Sequence, residues 1–260
     1  MAEFEIEVET TADGSATIHW NGALPPVALA QAVSAAADDA LAGRGLRRLE
    51  VILPVDDQAG RRALLRAGFR QEGIRRQAAV LPSGDHGDLI IYGRLASDQI
   101  HGPDGFSGVM NSALPRKRLI AHVVFRDRAG RVLLCQTTFK TDWELPGGIV
   151  EPFETPRDGA IREVREELGV DRSVGRLLVV DWLPPYLGWD DACELIFDGG
   201  TIDESELDDY VLEEREIVTV RLCTLAEAAE LLTESAHRRL TVACTVGAAE
   251  TAYTEHGRRI

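Results

Sequence analysis

Glu163, Glu166 and Glu167 stand at i, i+3 and i+4 in the stretch Arg162-Glu163-Val164-Arg165-Glu166-Glu167-Leu168-Gly169. On a helix that spacing stacks three carboxylates along one face. Like charges so placed repel by a few tenths of a kcal/mol per pair, so a solvated helix gains nothing from them. A hard divalent cation reverses the sign of that interaction. Oxygen-rich carboxylate sets suit Mg2+, which keeps some waters and shares its other positions with substrate phosphates. The bland alternative is an acidic amphipathic helix with a solvated face.

The elements around the carboxylates argue for chemistry. Thr155 and Pro156 read as a helix start, since proline fits a first turn whose amides lack partners anyway. Ile161, Val164 and Leu168 form the core-facing stripe, and Gly169 ends the helix as a residue able to take positive φ. Upstream lies the turn Leu145-Pro146-Gly147-Gly148, and Glu154 and Arg162 follow Gly148 after five and seven further residues. The whole string resembles the Nudix hydrolase box, with every consensus position filled.

That resemblance implies a loop, a helix and a second loop that bind divalent cations in contact with a diphosphate. Glu163, Glu166 and Glu167 would be the metal ligands, joined by the backbone carbonyl of Gly147, and the cation would be Mg2+, with Mn2+ as the alternative. Arg162 and Glu154 would pair and hold the loop on the helix, a clamp suited to two planar groups. Glu166 is the residue expected to deprotonate or orient the attacking water. Some family members recruit a carboxylate from a distant loop for this, and Glu204, Glu206, Glu213 and Glu216 are all available here. The implied reaction is hydrolysis of a phosphoanhydride in a nucleoside diphosphate joined to another group. The cations would neutralise charge on its oxygens and make water a better nucleophile near neutral pH.

Aromatic residues flank the box. Phe139 and Trp143 precede it, and Tyr186 and Trp189 follow it within Trp182-Leu183-Pro184-Pro185-Tyr186-Leu187-Gly188-Trp189. Stacking of a base on such rings is sequence-tolerant, and ordinary packing is the alternative. In Nudix enzymes a proline about fifteen residues past the box goes with ADP-ribose, and a tyrosine slightly later with dinucleoside polyphosphates. Pro185 and Tyr186 lie fifteen and sixteen residues past Val170, so the two signs conflict. ADP-ribose-like nucleotide sugars are marginally favoured. Nucleoside triphosphate pyrophosphohydrolysis and non-catalytic nucleotide sensing are the alternatives, although a sensor could dispense with the ligand carboxylates that this chain keeps.

Composition narrows the partners. A formal net charge of −15 argues against broad nucleic-acid binding, which needs a basic surface, but not against a nucleotide-derived small molecule. Lysine occurs only at Lys117 and Lys140. No apolar run approaches the roughly 20 residues that span a bilayer, so no membrane insertion is expected. Met1 to Glu5 carries neither a basic region nor an apolar segment, so it does not read as a secretory signal. Cys135, Cys193, Cys223 and Cys244 lack metal-type spacing and read as reduced thiols of a cytoplasmic protein. His122, inside an apolar run, reads as a core or substrate-side residue. A homodimer is expected by resemblance alone.

The chain is expected to be α/β throughout, with three parts. Residues 116–260 would be the Nudix domain, an α/β/α sandwich with a mixed sheet. Its strands are expected at Leu119 to Arg126, Val132 to Phe139, Arg176 to Leu183, Ala192 to Phe197 and Glu216 to Leu222, with helices near Leu225 to Leu232 and His237 to Ala249. Residues 98–115, rich in Gly, Pro, Asp and Ser without apolar period, read as a linker. Residues 1–97 would be a smaller α/β domain. Its Leu64-Leu65-Arg66-Ala67-Gly68-Phe69 phrase and closing Asp88 to Leu95 strand resemble the C-terminal part of a GNAT acetyltransferase. Where that family places a glycine-rich loop for the coenzyme A diphosphate, this chain has Gly22-Ala23-Leu24-Pro25-Pro26. Two prolines remove amide donors where they are needed, so this domain reads as a degenerate, truncated version serving as scaffold, dimerising surface or lid.

Overall fold

The computed structural model describes residues 4–260. Met1, Ala2 and Glu3, on which the reading of the N-terminus rests in part, lie outside the described residues. The chain divides into two compact units, the first ending at Pro115 and the second spanning Arg116–Ile260. No helix among the described residues is long and apolar enough to cross a membrane.

The first unit contains β1 (Glu5–Thr10), β2 (Ser15–Asn21), α1 (Pro26–Asp38), β3 (Arg48–Pro54), α2 (Gln58–Arg66), β4 (Arg70–Val80), β5 (His86–Leu95) and α3 (Gly102–Ala113). A π-helical turn at Asp39–Gly43 extends α1. The strands form one sheet in the order β1-β2-β3-β5-β4, with β2 and β3 parallel. Val33 and Ala37 of α1 and Leu64 of α2 pack with Leu49, Val51 and Tyr92 of the sheet in one core. Pro25 caps α1 and Pro26 opens it, with no side-chain cap bond.

Most of residues 98–115 forms helix α3 of the first unit and not the expected linker. Gly105 and Gly108 permit the close approach. A Cβ on Gly105 would lie 2.5 Å from the carbonyl carbon of Ile100, and one on Gly108 would lie 2.8 Å from the Arg70 guanidinium. Ser112 Oγ accepts from the Gln71 amide of β4 at 3.0 Å. The glycines that read as loop signals are packing contacts of a helix that belongs to the first unit.

The second unit runs β6 (Arg118–Arg126), β7 (Val132–Thr137), β8 (Trp143–Glu144), β9 (Gly147–Ile149), α4 (Pro156–Leu168), β10 (Leu177–Leu183), β11 (Ala192–Thr201), β12 (Ile217–Cys223), α5 (Leu225–Leu231), α6 (Glu234–Thr245), β13 (Ala252–Glu255) and β14 (Arg258–Arg259). Its mixed sheet has the order β12-β7-β6-β11-β10-β13-β14, with β8 added to β7 and β9 to β6. Alternation along the strands sends side chains to two cores. Ala121, Val123, Phe125, Leu133 and Cys135 meet Ala160, Val164 and Leu168 of α4 on one face. Val124, Val132, Leu134 and Ile196 meet Ala228 of α5 and Leu240 and Ala243 of α6 on the other. The result is an α/β/α sandwich.

One irregularity positions everything that follows. β6 and β7 pair at Arg126 and Val132 and then part. Past that point β6 takes β9 as partner, Ile120 to His122 against Ile149 to Gly147, while β7 takes β8. The sheet therefore forks, with Leu145 and Pro146 bridging the two prongs.

Candidate active site

Helix α4 springs from the β9 prong. Thr155 caps it by accepting from the Asp158 amide, Pro156 occupies its first turn, and Gly169 ends it at φ 68°. With Val164 and Leu168 buried against the sheet, Glu163, Glu166 and Glu167 follow at graded depth. Glu167 is 5 % exposed, the Glu163 side chain is mostly buried, and the Glu166 side chain is 53 % exposed.

The glycines of the turn make room for these carboxylates. Gly147, at φ +132°, lies so close to β6 that a Cβ would come within 2.2 Å of the Ala121 carbonyl oxygen. A Cβ on Gly148 would meet the Glu163 carboxyl carbon at 2.8 Å. The Gly147 amide donates to Glu167 Oε2 at 2.8 Å.

Arg162 ties the loop to the helix. Its Nε and Nη2 donate to the two oxygens of Glu154 at 3.2 and 2.7 Å. Nη2 also donates to the Ile149 carbonyl at 3.0 Å. Nη1 reaches Glu163 Oε1 at 3.0 Å and Glu166 Oε2 at 2.9 Å. The Arg162 bonds hold the Glu154 carboxyl below its usual range.

The inner carboxylates behave oppositely. Burial pushes Glu163 up, against the pull of Arg162. Burial pushes Glu167 up to about 8, opposed by the Gly147 amide and reinforced by the charges of Glu144, Glu163 and Glu216. Anions crowded in a dry place carry a penalty that an opposite charge relieves. Among the described residues no three His, Cys, Asp or Glu side chains already enclose a metal-sized space; Arg162 holds Glu163 and Glu166, while Glu167 is held by the turn. The donor set still fits a hard divalent cation, being all carboxylate, partly desolvated and uncompensated at Glu167.

Two participants carry no spacing signal in the sequence. Glu144, on the other prong, and Glu216, just before β12, both act electrostatically on Glu167. Of the four downstream glutamates, the structure singles out Glu216. Its carbonyl accepts from the Thr138 amide at 2.8 Å, and the Glu213 amide donates to the Glu167 carbonyl at 3.1 Å, which docks this loop on the end of α4. Glu204 pairs with Arg131 and Glu206 with Arg172 instead.

The four aromatic candidates fall on three separate segments. Phe139 is exposed after β7, with Lys140 Nζ 5.7 Å from its ring. Trp143 packs on the face of the sheet opposite α4, with Arg221 over its ring at 5.4 Å. Tyr186 and Trp189 pair through their backbones in an exposed turn, and Arg118 lies 4.5 Å from the Trp189 ring. All four cysteines are free.

Sheet, helices and acidic face together define an α/β/α sandwich domain with a loop–helix–loop site. Residues 116–244 match the family model described as NUDIX domain, and this part of the chain is a NUDIX domain. It is similar to the CTP pyrophosphohydrolase of Escherichia coli (strain K12), 43% identical over 61 residues, which cover 22% of this chain and 44% of that protein. It is also similar to human (Homo sapiens) diphosphoinositol polyphosphate phosphohydrolase 3-alpha, 46% identical over 66 residues, 25% of this chain and 40% of that one. The matches thus span less than half the length of either relative. The N-terminal region resembles GNAT acetyltransferases, such as the ribosomal-protein-S5-alanine acetyltransferase from Vibrio fischeri, with a TM-score of 0.34 and 15% identity over 36% of this chain and 55% of that one. A likeness of that size carries no argument about activity.

Proposed function

We propose that this protein hydrolyses the phosphoanhydride of a nucleoside diphosphate joined to another group, with Mg2+ as cofactor and Mn2+ as the alternative. The observation that carries this reading is Glu167, buried beside Glu144, Glu163 and Glu216 and pushed up to about 8 with no compensating cation of the protein's own. Glu163, Glu166, Glu167 and the Gly147 carbonyl would hold the metal. When bound, it supplies charge neutralisation at the diphosphate oxygens.

The chain's own groups do the rest. Arg162, fixed by Glu154, sets the height of Glu163 and Glu166 above the glycine turn. Glu166, the most solvent-accessible of the three, accepts the proton of the attacking water. Glu216, whose charge acts on Glu167, would serve as the distal carboxylate.

The other group of the substrate is open between a sugar and a further phosphate. The lean towards ADP-ribose rests on Pro185, which lies in an exposed turn. The named activity of the Escherichia coli relative favours the second reading, a nucleoside triphosphate pyrophosphohydrolase. A panel of ADP-ribose, other nucleotide sugars, dinucleoside polyphosphates, NADH and nucleoside triphosphates, incubated with Mg2+ and read by mass spectrometry, decides between them. Binding without turnover of any member supports the sensor alternative.

We assign the first unit a supporting role, as a degenerate GNAT-like domain without a phosphate loop. Pro25 and Pro26 occupy the positions at the start of α1 where amide donors would be needed. Homodimerisation and a cytoplasmic location remain part of this proposal.

A further inference from the structure

The fork of the sheet brings one more cation to the carboxylates. Glu144 of β8 stands opposite Cys135 of β7, and residues paired across antiparallel strands share a face. Cys135 packs in the core against α4. Glu144 therefore points to that side, where its charge and that of Glu167 both act on the Cys135 thiol. Its neighbour Trp143 points to the other side. Lys140, in the turn between β7 and β8, donates from Nζ to Glu144 Oε2. The Lys140 side chain is 38 % exposed and that of Glu144 19 %, so the carboxylate lies deeper and the ammonium nearer the solvent.

Among the described residues, two cations thus reach the carboxylate site through ion pairs, Arg162 and Lys140. Their remaining capacity differs. Arg162 has five N–H groups, and all are engaged: Nε with Glu154, Nη1 with Glu163 and Glu166, and Nη2 with Glu154 and the Ile149 carbonyl. It has nothing left for a substrate. Lys140 has three donors, and among the described residues its one hydrogen bond is the one to Glu144. Two N–H groups remain, on a side chain that solvent reaches. An ion pair this exposed adds little to stability, so folding alone does not account for the placement of the ammonium. A phosphate chain approaching these carboxylates is repelled by each of them, and a cation with free donors favours its entry. Lysine suits that task, since it binds phosphate as a point charge on a flexible stem.

We propose that Lys140 is a substrate-binding residue that donates from Nζ to a phosphate oxygen of the nucleotide, with Glu144 holding the ammonium at the mouth of the fork. The inference rests on the nucleotide reading above but not on hydrolysis.

The test uses the full chain with Mg2+ and, as probes, the α,β-methylene analogues of ADP and CDP, whose P–C–P bridge resists hydrolysis. Binding is read by calorimetry, and Mg2+ alone is titrated in parallel. Lys140→Met keeps the apolar stem and removes the charge, whereas Lys140→Arg keeps the charge. Lys140→Met should bind the better analogue about 10-fold more weakly or worse, as expected on losing a hydrogen bond to a charged group. It should bind Mg2+ alone at least as tightly as wild type, because a neighbouring cation has gone. Lys140→Arg should recover most of the affinity for the analogue. This split separates a substrate contact from a structural ion pair, whose loss would weaken both ligands or neither. Equal affinity of wild type and Lys140→Met for the analogue, a parallel loss of Mg2+ affinity, or no binding of either analogue by wild type overturns the proposal. Analogue binding that depends on Lys140, with no hydrolysis of any member of the substrate panel, would leave it standing and remove the hydrolase reading instead.

Discussion

Arg162 and Glu154 are joined by two bonds, Nε to Oε2 and Nη2 to Oε1, between side chains eight residues apart. The same guanidinium spends Nη1 on Glu163 and Glu166, so one planar cation sets both the loop and the height of two carboxylates. Lysine cannot reproduce that fork. Arg162→Lys is expected to cost ~1–3 kcal/mol at the site, read as a fall in kcat/KM of about 10- to 100-fold. Unchanged kinetics would show that the clamp is ornamental.

Glu167 is expected to separate stability from function. Its burial disfavours the ionised form, and glutamine keeps the acceptor that the Gly147 amide uses. Glu167→Gln should leave the metal-free protein at least as stable as wild type near neutral pH. It should also abolish the rise in Tm caused by Mg2+ and lower turnover by about 100-fold or more. A variant that melts early without metal contradicts this.

Acid sensitivity has a named source in Glu194. Burial pushes its carboxyl up, but Arg239 and His122 outweigh burial and leave it lowered to about 2. A group held below its unfolded value contributes stability that is present above about pH 4.5 and is lost as pH falls towards 2. The contribution is on the order of 3 kcal/mol. Urea unfolding between pH 6 and pH 2 should show that loss, and Glu194→Gln should flatten it. An equal acid slope in the variant places the titrating group elsewhere.

Gly105 tests the helix that replaces the expected linker. A Cβ there meets Ile100 backbone at 2.5 Å, which a flexible side chain cannot relieve. Gly105→Ala should destabilise by ~1–3 kcal/mol, lowering Tm by roughly 2–12 °C, although alanine is the better helix former. A raised Tm would mean that α3 does not press on the backbone at Ile100.

These cases show what a sequence carries and what it hides. The box helix was legible because its cap, its apolar stripe, its carboxylates and its terminating glycine all report on contacts within a few residues. Helix α3 was not, because Gly105 and Gly108 read as breakers until the Ile100 backbone and Arg70 of β4 give their missing side chains a purpose. Glu144 and Glu216 reach Glu167 only through the forked sheet and the loop docked on α4, and no spacing encodes that. The last helix begins at Glu234 rather than His237 because Thr233 caps it, and it ends at Thr245, which left β13 and β14 unforeseen.

The most direct measurement is a Mg2+ titration of turnover on the panel's best substrate, wild type beside Glu166→Gln. The account predicts Mg2+-dependent cleavage of a phosphoanhydride by wild type, and a loss of about 100-fold or more in the variant at unchanged Tm. Equal turnover by the two proteins, or nucleotide binding with no cleavage by either, would contradict it.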